Sequence, residues 1–288
     1  MVNLDAVFLG NFESGSPEWL ALRDEPGVVT GTLAGVVAGL SPWESAFTAW
    51  AKQTKRIPAE VKQTRAMRLG QLKESVVKQL WLEENQGYKL HEVGTWSHKD
   101  FDWCRANPDG VLEFIDGELV LMEIKTARAP FDVLPTHYQA QVQWYMWVLG
   151  LKRAIVVVEA FNDIQQFDIP ADEFFQQSLF EAAERFRASV INDVKPDWDG
   201  SESTYQTVRA MNPDMTDETV DLGDLGVNLS NAQKVFDVAE TELRSFKSAT
   251  LDALGSACRG VVNVGGEEYV VVTRSVNKNG VVSLKVKG

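Results

Sequence analysis

The chain has 288 residues, with 28 Lys and Arg against 41 Asp and Glu for a net charge of −13, and 44% of it is hydrophobic. These proportions suit a globular chain of one large domain or a domain plus an appendage, and they exclude collagen-like, disordered and disulfide-scaffold proteins. No run of about 18 apolar residues occurs and the N-terminus carries no export signal, so a cytoplasmic protein without a membrane partner is expected. The two cysteines, Cys104 and Cys258, stand too far apart in sequence to suggest a cysteine-rich metal site.

An acidic total disfavours nonspecific binding to nucleic acid, because affinity for phosphates comes from Lys and Arg. The segment 52–78 departs from that total. Lys52, Lys55, Arg56, Lys62, Arg65, Arg68, Lys73 and Lys78 stand there against Glu60 and Glu74, a net +6. It suits a local seat for a polyanion and a solvated helix face equally well.

In chain order, helices are expected over 32–38, 44–55 and 64–84, the last with Met67, Leu72, Val76, Leu80 and Trp81 at helical spacing. Strands are expected over 104–106, 111–115 and 119–126, separated by Asn107-Pro108-Asp109-Gly110 and by Asp116-Gly117, a hairpin signal. A helix over 136–149, strands over 154–161 and 166–169, and a helix over 172–192 complete a mixed α/β domain, a mixed sheet flanked by helices. Composition changes at Lys195-Pro196-Asp197, which marks an expected boundary between 1–195 and 196–288. The first part holds eight of the nine tryptophans, with Trp43, Trp50, Trp81, Trp144 and Trp147 expected in the core. The second is expected to form a helix over 230–257 and β-strands over 261–286 as a helix-plus-hairpin appendage. Its expected role is assembly, DNA guidance or partner docking, with a lid completing the core as the alternative.

The chemistry concentrates in the central hairpin. Along Leu119-Val120-Leu121-Met122-Glu123-Ile124-Lys125-Thr126, alternation puts Glu123 and Lys125 on one face and Met122 and Ile124 on the other. Asp109 stands at the start of the neighbouring strand. Asp109 and Glu123 can therefore converge as oxygen ligands of a hard divalent cation such as magnesium, with the Ile124 backbone carbonyl beside them. His91, His98 and His137 are too scattered to pair as metal ligands.

Pro108-Asp109 followed by Glu123-Ile124-Lys125 resembles the PD-(D/E)xK nuclease core. Further segments resemble the YqaJ-like viral recombinase family, which includes the lambda-type alkaline exonucleases: Trp19-Leu20-Ala21-Leu22-Arg23, Thr30-Gly31-Thr32, Val37 to Trp43, Arg68-Leu69-Gly70-Gln71-Leu72-Lys73-Glu74 and the Gln-bearing run Tyr138 to Tyr145. They occur in the family's order. Two departures are a threonine at Thr32, where the family usually has serine, and Asp24-Glu25-Pro26, which lengthens the link from Arg23.

The resemblance implies a restriction-endonuclease-like fold and an exonuclease that degrades the 5′-ended strand of linear duplex DNA, leaving 3′ overhangs for recombination. It implies magnesium, with manganese able to substitute, held by Asp109, Glu123 and the Ile124 carbonyl. Glu74 would assist at a second metal or its water, Lys125 would orient the nucleophile and Gln141 would support the scissile phosphate. Arg23 and Thr32 would hold the 5′ phosphate, and no role is assigned to Tyr145. A homotrimeric ring around a double-stranded DNA end, a single-strand annealing partner and a bacterial host cytoplasm are also implied. The alternatives are a structure-specific or restriction-like endonuclease on the same core and a non-catalytic DNA-end-binding scaffold.

Overall fold

The computed structural model describes residues 2–13, 15–59, 64–161 and 163–287, so Glu60 and Lys62 of the basic segment lie outside the described residues. The described elements fall into two compact units that divide after Met215.

The first unit opens with β1 (Ala6–Gly10), α1 (Pro17–Asp24), β2 (Val29–Thr30), α2 (Gly31–Val37) and α3 (Ala46–Gln53). After it come α4 (Arg65–Glu84), β3 (Tyr88–His91), β4 (Thr95–His98), β5 (Cys104–Ala106), β6 (Gly110–Phe114) and β7 (Leu119–Ala127). It ends with α5 (Thr136–Leu149), β8 (Arg153–Ala160), β9 (Asp163–Pro170), α6 (Glu173–Ile191) and α7 (Glu202–Met211). Helix starts are set locally: the side chains of Ser16, Ser45, Thr64, Asp172 and Ser201 each accept a first-turn N–H of α1, α3, α4, α6 and α7.

The strands form two sheets where the sequence suggests one. The larger runs β3-β6-β7-β8-β9 and is antiparallel except for the β7/β8 pair, whose parallel pairing requires the α5 crossover. The smaller runs β1-β4-β5-β2 and takes residues 104–106 out of the expected main sheet. Both faces of the larger sheet are covered. On one, Leu121, Val156 and Val158 pack with Trp144 and Leu179; on the other, Met122, Ile124 and Val157 pack with Val77 and Trp81 of α4. Burial on both faces explains why β8 reads as a continuous apolar run.

Two expectations about burial are corrected. Trp43 is 68% exposed, its ring edge-on to His137, while Trp50, Trp81 and Trp144 are core. In α4, only Val77 and Trp81 are buried, and Met67, Leu72, Val76 and Leu80 face solvent.

The first unit also extends past the composition change at Pro196, because α7 docks on α3 through a buried hydroxyl cluster. Thr48 Oγ1 bonds Thr207 Oγ1 and Ser203 Oγ at 2.8 Å each, and Thr204 Oγ1 donates to Ser45 Oγ at 2.7 Å. These small polar residues carry no strong hydrophobic pattern, and so the local composition hides their burial.

The second unit comprises α8 (Asp224–Leu254) and three antiparallel strands, β10 (Arg259–Val264), β11 (Glu267–Val276) and β12 (Val282–Val286), in the order β10-β11-β12. The strands form the expected hairpin-type appendage, with successive antiparallel pairings that make a three-stranded meander. α8 begins behind Gly223, ahead of the start expected at residue 230.

Candidate active site

Antiparallel register brings the hairpin carboxylates together. Gly110 of β6 pairs with Met122 of β7, so Asp109 falls beside Glu123, and Ile124 N–H donates to Asp109 Oδ2 at 2.7 Å. Glu123 is 2% exposed. Its Oε1 accepts from Lys125 Nζ at 2.6 Å and from Gln141 Nε2 at 2.8 Å, and Lys125 Nζ also donates to Gln141 Oε1 at 3.0 Å. The expected sharing of one strand face by Glu123 and Lys125 is realised, with α5 placing Gln141 over that face.

The electrostatics are those of a crowded acidic site. Burial, then the neighbouring Asp109, push Glu123 up to about 8 against the pull of Lys125. Burial also raises Asp109, opposed by Lys125 and the Ile124 N–H. Burial resists charge on Lys125 too, yet Glu123 and Asp109 hold its ammonium above the usual lysine range. Glu74 is raised by burial and then by Asp109, which places it in electrostatic reach of the pair.

α4 reaches the site by a close approach. A Cβ on Gly70 would stand 3.2 Å from Thr126 Oγ1 on β7, so the glycine lets the helix lie against the strand one turn before Glu74. One turn further, Lys78 Nζ donates to the Asp109 carbonyl at 2.8 Å. Lys78 has no counterpart among the expected site residues. Its one signal in sequence is its spacing of four from Glu74, which puts both on one helix face.

These residues fit a divalent cation. Glu123 Oε2 is buried without a hydrogen-bond partner, an acceptor whose satisfaction needs a donor or a cation. Among the described residues no three His, Cys, Asp or Glu side chains form a metal-binding group. Paired carboxylate oxygens beside a backbone carbonyl are the donor chemistry of hard divalent cations.

On the α5 side, Gln141 Nε2 also lies 3.2 Å from Tyr145 Oη, burial raises the Tyr145 phenol to about 12, and Lys125 Nζ stands 5.3 Å from the Tyr138 ring centre. The Gln141 amide is thereby engaged by Glu123, Lys125 and Tyr145. Arg23 lies over the Trp19 ring at 4.2 Å and donates to Thr30 Oγ1 at 3.5 Å. Burial lowers its guanidinium, which Tyr145 and Asp24 counteract, so Arg23 belongs to the same neighbourhood. Thr32 is exposed in the first turn of α2, and the Arg23 contact is made by Thr30.

The basic segment is partly consumed inside the chain. Lys52 pairs with Glu44, Arg56 with Asp193, Lys73 with Glu159 and Lys78 with Glu92, while Lys55, Arg65 and Arg68 are exposed.

Residues 18–152 match the YqaJ-like viral recombinase domain. They form a domain of that family. The YqaJ protein of Bacillus subtilis strain 168 is 27% identical over 214 residues, 70% of this chain, and the match spans 65% of the relative's length. An alkaline exonuclease from Laribacter hongkongensis, LHK-Exo, superposes with a TM-score of 0.51 at 20% identity, over 69% of this chain and 100% of that one. Its complex with dAMP superposes at 0.52 and 19% identity, with the same coverage. At such identities the likeness is one of fold.

Proposed function

We propose that this YqaJ-like chain is a magnesium-dependent exonuclease that degrades the 5′-ended strand of linear duplex DNA and leaves a 3′ single-stranded overhang for phage-type recombination. The observation that carries this reading is the buried Glu123 carboxylate, with one oxygen held by Lys125 and Gln141 and the other without a partner beside Asp109. Asp109, Glu123 and the Ile124 carbonyl would hold the ion, manganese could substitute, and Glu74 would serve a second ion or its water. Bound there, the metal supplies an acidified water and stabilises charge developing on the phosphodiester.

Lys125 would orient that water, and its bonds to Glu123 and Gln141 support this role. Arg23 and Thr32 would receive the terminal 5′ phosphate, the first by charge and the second from a helix N-terminal turn. A trimeric assembly on double-stranded DNA ends, a single-strand annealing partner and a bacterial cytoplasm belong to the same proposal.

Incubating the protein with linear and covalently closed duplexes, in magnesium and in chelator, tests it. Nucleotide release from linear ends in magnesium alone supports the exonuclease. Cutting of closed circles would make it an endonuclease, and end binding without cleavage in magnesium a scaffold.

A further inference from the structure

Asp109 stands one residue ahead of β6, whose pairing with β7 begins at Gly110 and Met122. Its carbonyl is left to a donor from elsewhere. Lys78 Nζ of α4 supplies that donor at 2.8 Å, from a side chain only 13% exposed. The other partner of this ammonium, Glu92, lies 3.5 Å away and is 76% exposed, so that pair restrains the lysine weakly. The bond to Asp109 is the one that fixes it.

Asp109 is thereby held at two points, its carboxylate by the Ile124 N–H and its main chain by Lys78. Lys78 follows Glu74 by four residues, so both stand on one face of α4. Burial raises both Asp109 and Glu74, and the Lys78 ammonium is among the charges that oppose the rise in each. Val77 and Trp81 hold α4 to the sheet by apolar contact, which has no direction, whereas the bond from ammonium to carbonyl has one. We propose that Lys78 is a positioning residue of the metal site, which anchors Asp109 by its main-chain carbonyl and keeps Glu74, on the same helix face, turned toward it. The role rests on the proposed function above.

Magnesium binding by the full chain, followed by calorimetry, tests this at about pH 9, above the Glu123 value of about 8, where protons compete little. The sign of the effect separates two roles. Lys78→Met removes a positive charge, which by itself tightens binding of a cation, and removes the anchor, which weakens it. Weakening by at least about tenfold is expected, the loss typical of a group that orients a metal ligand, with Lys78→Arg recovering most of it. In the nuclease assay Lys78→Met is expected to lower kcat and leave KM for DNA unchanged, and in the metal-free protein the Asp109 and Gly110 amides should exchange faster. Lys78→Gln, whose head falls short of the carbonyl, is expected to behave as Lys78→Met and serves in its place if that variant fails to fold. Magnesium bound by either variant as tightly as by the parent, or more tightly, would overturn this role and leave the proposed function standing. A parent protein that binds no magnesium would overturn both.

Discussion

A Cβ on Gly31 would stand 2.5 Å from Cε1 of Tyr145. The absence of a side chain at Gly31 leaves room for the Tyr145 ring, whose hydroxyl meets Gln141, against the start of α2, so Thr30-Gly31-Thr32 lies close to the Glu123 site. Gly31→Ala must push the Tyr145 ring aside and is expected to cost on the order of 1–3 kcal/mol. Urea unfolding gives the cost, and a nuclease assay should show an accompanying loss of rate as Gln141 loosens. An unchanged midpoint and rate would mean that the ring moves freely.

The proposed ligands and the lysine beside them give a sharper outcome. Asp109→Ala, Glu123→Ala and Lys125→Ala are each expected to abolish digestion of linear duplex in magnesium. The carboxylate changes relieve like-charge crowding and should leave the fold intact by circular dichroism. Parental rates in any of the three would displace the site from the hairpin.

Stability should depend on pH through Glu123. Its folded-state pKa of about 8 lies above the ordinary 4.5, so its contribution is present in acid and is lost as pH rises from 4.5 through about 8. The Tm of metal-free protein is expected to fall across that window. Magnesium binding displaces the proton and should restore Tm most at the alkaline end. Glu123→Gln should flatten both effects in thermal scans with and without the ion.

Lys73 Nζ donates to both Glu159 oxygens at 2.9 Å and ties α4 to β8. Lys73→Met strands a largely buried carboxylate, whereas Glu159→Gln leaves a neutral group. The first is expected to destabilise more, by about 1–3 kcal/mol, with the lysine's own exposure limiting the loss. Urea midpoints of the two variants order them, and the reverse order would show that the pair does not restrain the helix.

The DNA end should be read by charge. If Arg23 receives it, duplexes with a 5′ phosphate are expected to be degraded at least about tenfold faster than those with a 5′ hydroxyl. Arg23→Ala should erase most of that ratio and Thr32→Val less, since backbone N–H groups of α2 remain. Initial rates on matched substrates decide it, and equal rates for both ends would remove Arg23 from this role.

Much of the site is legible in sequence because it is local. The alternation in β7 and the Asp116-Gly117 turn determine that Glu123 and Lys125 share a face and that Asp109 comes back beside them. The spacing along α5 likewise places Gln141 and Tyr145 one turn apart. These relations follow from the periods of strand and helix, which a single sequence displays.

What the tertiary structure alone decides depends on segments far apart in the chain. The approach of α4 through Gly70 and Thr126 brings Glu74 and Lys78 to a hairpin made elsewhere, and the hydroxyls of Ser45, Thr48, Thr204 and Thr207 become core only when α3 and α7 meet. Burial of Trp50 and exposure of Trp43 are set the same way, since hydrophobicity fixes a preference for the interior while the neighbours that supply an interior come from other elements. The sequence by itself determined the chemistry of the hairpin through its two-residue period; the packing of distant helices decided which charges surround it, because electrostatic neighbours are a property of space and not of spacing along the chain.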